Sequence, residues 1–424
     1  MTNYFSKILL LLTILFPFFY TPEARATARN EAYGCDMGFG KEAESTVRRE
    51  PKAYCQRALF FLKRSQLESA IESLSEAVEL DRNYAESYLM RGILYFLQGD
   101  RELAVADFRK IREIDPGNIY SYLWEATYHM SQLQWQSALS DVNRSLAIEP
   151  PLADSFITRG NIYMFQKQWD KALSDFNRAV EIDPDAADTY RSRATYYTVI
   201  DKFSLALADY ERAIELNPAS LLTYLNRSLL YAETQQWNKL LEDAQKSTQL
   251  NPESVKAHIL LGYAHHKKQE YNLAVDNYQK AIFLHDNSKE DTTEQSNITQ
   301  NYDVQDYEKF QSDIELDDMA TIRYYIGLAQ YEKNFATGAI ESFKVALERN
   351  EELSQSRLAL ATVLYSQGKT DRALKLARSA LISNQKLSNP QYLQEKQLWG
   401  EKMLEDAKEL LSTLVSLNNT IKHN

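Results

Sequence analysis

His258, His265 and His266 come nearest to a metal-binding cluster in this chain. Imidazoles that share a zinc ion must approach it together. On one helix His258 and His265 would stand two turns apart, about 10 Å, too far to ligate one ion jointly. Cys35 and Cys55 are the only cysteines, and no C-x-x-C redox pair exists. In an exported chain they permit one disulfide. A nucleophile elbow (G-x-S-x-G), a phosphate loop (G-x-x-x-x-G-K) and a zinc-protease helix (H-E-x-x-H) are all missing from the sequence. The 59 Asp and Glu against 48 Lys and Arg leave a net charge of −11, which argues against a phosphate-binding surface and hence against nucleic acid as partner. No catalytic residue, metal or cofactor is expected. The class of activity left is binding, with an enzyme built from carboxylates that only the fold brings together as the competing reading.

The elements that would position a binding surface announce themselves by spacing. Pro116, Pro150, Pro184, Pro218 and Pro252 recur every 34 residues, each after Asp, Glu or Asn. Proline is tolerated at the first position of a helix and not inside one, so these prolines are expected to open successive units. A second lattice runs between them. Small residues (Ala58, Gly92, Ala126, Gly160, Ala194, Gly262, Gly327, Ala361) each precede by 12 positions an alanine (Ala70, Ala104, Ala138, Ala172, Ala206, Ala274, Ala339, Ala373). Facing small residues at a constant offset mark the closest approach of two helices. Large residues such as Tyr95, Tyr163, Phe108 and Phe176 fall three or four positions on, the apolar stripe of amphipathic helices.

Segments such as FITRGNIYMFQKQWDKALSDFNRAVEIDP resemble the tetratricopeptide repeat in length, in the G-x-x-Y step, in A-x-x-x-F and in the closing proline. Nine units begin near 51, 85, 119, 153, 187, 221, 255, 320 and 354. The resemblance implies an all-α fold, an α-solenoid in which helix hairpins form a right-handed superhelix. Its concave face would bind a protein or an extended peptide, and its ends need polar caps.

In chain order, residues 1–26 read as an export signal: one lysine, an apolar run of 13 residues, and a small-x-small ending at Ala24 and Ala26. The protein is therefore expected to be periplasmic or secreted. The alternative is an uncleaved anchor that holds it on a membrane, facing away from the cytoplasm. Residues 27–50 are a polar linker, and a Cys35–Cys55 bond would tie it to the first repeat. Residues 51–284 hold seven units. Residues 285–318, with eleven acidic residues against two lysines, read as a flexible insertion that is either passive or an acidic docking segment. Two units follow over 319–387, and 390–417 form a capping helix whose stripe is Trp399, Met403, Ala407, Leu410, Leu411 and Leu414.

On the family's pattern Trp124 points to the inner face, with Leu89, Met90, Ile93, Phe96, Leu97, Tyr120, Leu123 and Met130 forming an apolar run beside it. Such a patch marks an interaction surface, unless its members pack between helices. Further on the inner positions turn polar: Asp154, Asn161, Asp188, Arg191 and Asn226. Asn161 and Asn226 resemble parts of the carboxylate clamp of chaperone-binding members. Ile157, Ser192 and Leu222 stand where its other groups would be, so a chaperone tail is not the expected partner.

Overall fold

The computed structural model describes residues 50–64, 66–290 and 318–422. The expected signal, the linker with Cys35, and the acidic insertion except for its edges lie outside the described residues. Within them stand 20 α-helices, one short 3-10 helix and no strand. The first helices of the repeats are α1 (Pro51–Lys63), α3 (Ala85–Gln98), α5 (Ile119–Ser131), α7 (Ala153–Phe165), α9 (Ala187–Val199), α11 (Leu221–Glu233), α13 (Val255–Lys267), α15 (Met319–Glu332) and α17 (Ser354–Ser366). Their second helices are α2 (Leu67–Leu80), α4 (Arg101–Ile114), α6 (Trp135–Leu146), α8 (Trp169–Ile182), α10 (Phe203–Leu216), α12 (Trp237–Leu250), α14 (Tyr271–Glu290), α16 (Ala336–Arg349) and α18 (Thr370–Ser383). Helices α19 (Pro390–Lys396) and α20 (Glu401–Lys422) complete the chain. Two compact blocks divide it, one reaching Thr223 and one taking Tyr224–Ser288 together with the residues from 318 on.

Within a pair the helices meet where the sequence places small residues. Gly160 faces Phe176, and a Cβ built on the glycine would lie 2.9 Å from the ring; for Gly327 and Phe343 the distance is 2.5 Å. Gly92 and Gly262 likewise face Phe108 and Tyr278. At Ala58 and Ala126 the residue 16 positions on is the smaller Leu74 or Val142, whereas Ala194 is followed by the large Tyr210. In repeats 1 and 3 side-chain volume is thus traded across the contact.

A polar lattice accompanies the apolar one. Arg91, Arg159, Arg193 and Arg227 each donate two hydrogen bonds of 2.7–2.9 Å to Asp107, Asp175, Asp209 and Asp243, 16 residues later on the second helix. Each guanidinium lies between two aromatic rings of its own helix, at three residues before and four after: Tyr88 and Tyr95, Phe156 and Tyr163, Tyr190 and Tyr197, Tyr224 and Tyr231. Bidentate geometry and ring contact suit arginine and not lysine. The third repeat inverts the pattern. Glu125 stands in the arginine column and pairs with Arg109, at 3.0 Å, and with Arg112, both on the preceding α4. Asp141, with no arginine in the first-helix column, accepts from His129 at 2.8 Å and pairs with Arg144 of its own helix at 3.6 Å. Burial and then the Glu125 charge push the Asp141 carboxyl above its ordinary pKa.

The turns show why Asp or Asn precedes three of these prolines. Asp115, Asn217 and Asn251 accept from the amide two residues on, at 3.0–3.2 Å, the side-chain turn these residues favour. Pro116 therefore sits in the connection after α4, and α5 starts three residues later with Asn118 as its cap. This corrects the expectation that these prolines open the units: they follow the end of one helix, where proline cannot extend it. Pro390 does stand at the first position of α19, behind an Asn389 cap. Inside each pair from the second on, the turn uses one left-handed residue. Only Gly99 and Gly368 among these are glycine; Leu133, Lys167, Asp201, Gln235, Gln269 and Asn334 adopt φ of 55–63°.

Candidate partner-binding site

First helices of neighbouring repeats touch directly, α1 with α3, α5 with α7 and α7 with α9 in the first block, and α15 with α17 in the second. Their shared side is the inner face of each block. The apolar residues expected there are packed. Leu89, Met90, Ile93, Phe96 and Leu97 are at most 7% exposed, and Leu123 and Trp124 are fully buried. The Trp124 indole stacks on Phe108 at 5.4 Å and meets Phe96 edge-on at 5.7 Å. Both partners belong to the preceding repeat, so this column points back into the gap between pairs. Tyr120 and Met130 are half-buried against the same cluster. An open apolar patch is therefore not what these residues present, and Trp124 joins the core of repeats 1–3.

The polar positions come together instead. Tyr120, Asp154 and Asp188 occupy the second position of α5, α7 and α9. Burial first, then the charges of Asp188 and Asp183, push the Asp154 carboxyl well above the carboxylate range. Burial and Asp154 move the Tyr120 phenol to about 12. Asp188 accepts from Arg191 at 3.0 Å, yet burial outweighs the guanidinium and its pKa is also raised. Arg191 is only 8% exposed. Asn161 is half-buried on α7, two helix turns beyond Asp154, and Asn226 is half-buried in the second block.

The remaining candidates have structural partners. His258 bonds to Asn277 at 3.2 Å and the Pro252 carbonyl at 2.9 Å, and His265 to Glu270 at 2.6 Å. Burial, then Lys267, lowers the pKa of His266 to about 3 against a smaller pull from the Leu398 backbone. Among the described residues no group of three or more His, Cys, Asp or Glu could hold a metal ion, and no helix is long and apolar enough to cross a membrane. Cys55 is buried, its sulfur 3.5 Å from the Ser87 hydroxyl; its expected partner Cys35 lies outside the described residues.

Tetratricopeptide-repeat family models match residues 58–99, 85–118, 153–186, 255–282 and 353–391. No curated protein sequence matches the chain. Among solved structures, a chain of the APC/C Cut9–Hcn1 hetero-tetramer is similar at 18% identity with a TM-score of 0.55, over 85% of this chain and 62% of that one. The chain thus spans less than two thirds of that relative, and the likeness carries the fold alone. The human IFIT1 dimer with m7Gppp-AAAA matches at 17% identity and a TM-score of 0.48, over 78% of this chain and 71% of that one. A tetratricopeptide repeat protein from Parabacteroides merdae matches at 18% and 0.42, over 55% and 93%. With matched segments on repeats 1, 2, 4, 7 and 9, and the intervening helix pairs in the same 34-residue phase, the chain is a tetratricopeptide-repeat protein.

Proposed function

We propose that this protein is an exported, non-catalytic scaffold that holds a protein or extended peptide along the first helices of its repeats. The observation that carries the reading is the Tyr120–Asp154–Asp188–Arg191 row. Repeat proteins of this kind present extended surfaces to partners, and this row gathers carboxylates and a guanidinium that the Arg–Asp lattice of the fold does not use. A carboxyl held well above its ordinary range at Asp154 gains by meeting a cationic or donor group of a partner. Asn161 extends the row with an amide able to bond an extended main chain. The apolar set around Trp124 contributes by stiffening the wall behind the row. Export is supported by the sequence of residues 1–26.

The test compares capture of one quantified partner from an extract of the source cell. Asp154→Ala with Arg191→Ala should lower retention at least tenfold, the equivalent of about 1.4 kcal/mol. Lys171→Ala, on a second helix, should leave it unchanged. Equal retention by all three proteins refutes the reading.

A further inference from the structure

The last helix does not simply close the end of the array. Helix α20 packs chiefly on α17 and α15, the first helices of repeats 9 and 8, and less on α18. It therefore lies along the inner face of the second block. The side chains it meets stand in the columns that hold Leu89 and Phe96 in repeat 2: Tyr324 and Tyr331 on α15 and Tyr365 on α17.

Each contact reads a distinct chemical feature. The Trp399 indole N–H donates to the Tyr324 hydroxyl at 2.6 Å, and that hydroxyl donates to the Gln397 carbonyl at 3.1 Å. Glu332 accepts the backbone amides of Lys402 at 3.3 Å and Met403 at 3.0 Å, so a carboxylate from the groove caps the start of α20. The Tyr331 hydroxyl donates to the Asp406 carboxylate at 2.5 Å, and the Tyr365 and Thr413 hydroxyls lie 2.8 Å apart. Between these points Trp399, Met403, Ala407, Leu410 and Leu414 are buried. Gly400 lets the chain pass, since a Cβ there would run into the Glu332 carboxylate.

We infer that the inner face of repeats 8 and 9 is a helix-binding groove in which α20 is an intramolecular ligand. A partner competing for it carries an amphipathic helix of the same pattern: tryptophan before the first turn, a carboxylate seven residues on, and apolar residues at the positions of Met403, Leu410 and Leu414. The inference rests on the reading that first helices carry the binding face, and it names the ligand for one part of that face. A short tether holds α20 at an effective concentration of about millimolar, so the groove is closed to outside helices until α20 is weakened.

The probe is a fluorescein-labelled synthetic peptide of residues 397–417, added to the full chain and read by anisotropy. The unaltered chain should not bind it at tens of micromolar. Trp399→Ala with Asp406→Ala, which weakens only the tethered helix, should tighten peptide binding at least thirtyfold. Adding Glu332→Gln in the groove should reverse at least tenfold of that gain. A folded double variant that gains no binding, or binding indifferent to Glu332→Gln, overturns the inference. If the double variant does not fold, hydrogen exchange on the unaltered chain decides. Amides of 403–414 exchanging at least tenfold faster than those of α15 and α17 support a detachable ligand, and equal protection overturns it. Partner capture unchanged by the Asp154 and Arg191 substitutions, with peptide exchange as expected, would sink the proposed role of that row and leave this inference standing; capture lost there with no gain in peptide binding would sink this inference alone.

Discussion

Replacing Gly327 with alanine adds one methyl at the tightest point of a helix pair. The new Cβ would lie 2.5 Å from Cε1 and 2.7 Å from Cδ1 of Phe343, whose ring is fully buried. Carbon atoms settle at about 3.5–4.0 Å, so the ring must retreat by about 1 Å into packed surroundings. Overpacking of this kind costs about 1–3 kcal/mol, whereas alanine gains about 1 kcal/mol over glycine in a helix. The net expectation is a loss of up to about 2 kcal/mol. At Gly160, where the same contact is 2.9 Å, the loss should be smaller. Phe343→Leu recreates the Ala58–Leu74 combination of repeat 1, so the double variant should be more stable than the two single losses add up to, by about 1–2 kcal/mol. Urea denaturation of the four proteins, with hydrogen exchange on α15 and α16 to localise the effect, measures that coupling. A stabilising Gly327→Ala, or strict additivity with Phe343→Leu, would show that volume is not traded across this contact.

Three further outcomes are expected. Because His266 stays neutral to about pH 3 in the fold and protonates near 6.5 when unfolded, the unfolded state binds the extra proton as pH falls below 6.5. The folded chain should therefore lose about 1.4 kcal/mol per pH unit from this group, and His266→Phe should remove that slope in denaturation midpoints between pH 7 and 4.5. Leu133→Gly should raise stability by about 0.5–1 kcal/mol, since leucine is held at φ 57° there, with Gly99→Leu giving the opposite shift in the same melts. N-terminal sequencing of material recovered outside the cytoplasm should begin near Thr27, and a start at Met1 would instead favour the retained anchor.

The paired helices were legible because the small-residue columns and the 34-residue period each have a local cause, close approach and turn chemistry. The arginine lattice was equally present, as an aromatic three before and a tyrosine four after each Arg91-type residue with Asp 16 further on. Spacing along one helix displays only the aromatic stripe, since a salt bridge between two helices has no periodicity within either one. Trp124 was misplaced for a geometric reason. A bulky residue on a first helix faces either the open side or the gap behind it, and one helix's pattern cannot tell these apart until Phe108 of the neighbour is in place. Asp154 and Asp188 were picked out as polar inner positions, but their mutual influence crosses from α7 to α9 and appears only in three dimensions. The stripe of α20 was evident; that it lies across α15 and α17 was not, because an end cap and an inner-face ligand need the same apolar pattern.

The inverted charge at Glu125 carries a consequence for how such an array can be rearranged. Repeats 2, 4, 5 and 6 each pair their arginine with an aspartate of their own, so any of them could be copied or shuffled without stranding that charge. The third cannot. Its carboxylate answers to Arg109 and Arg112 of the neighbour upstream, so moving it behind repeat 4 would set Glu125 against Asn177 and bury an unmatched anion. Repeats 2 and 3 are thereby held as a couple, their order written in electrostatics.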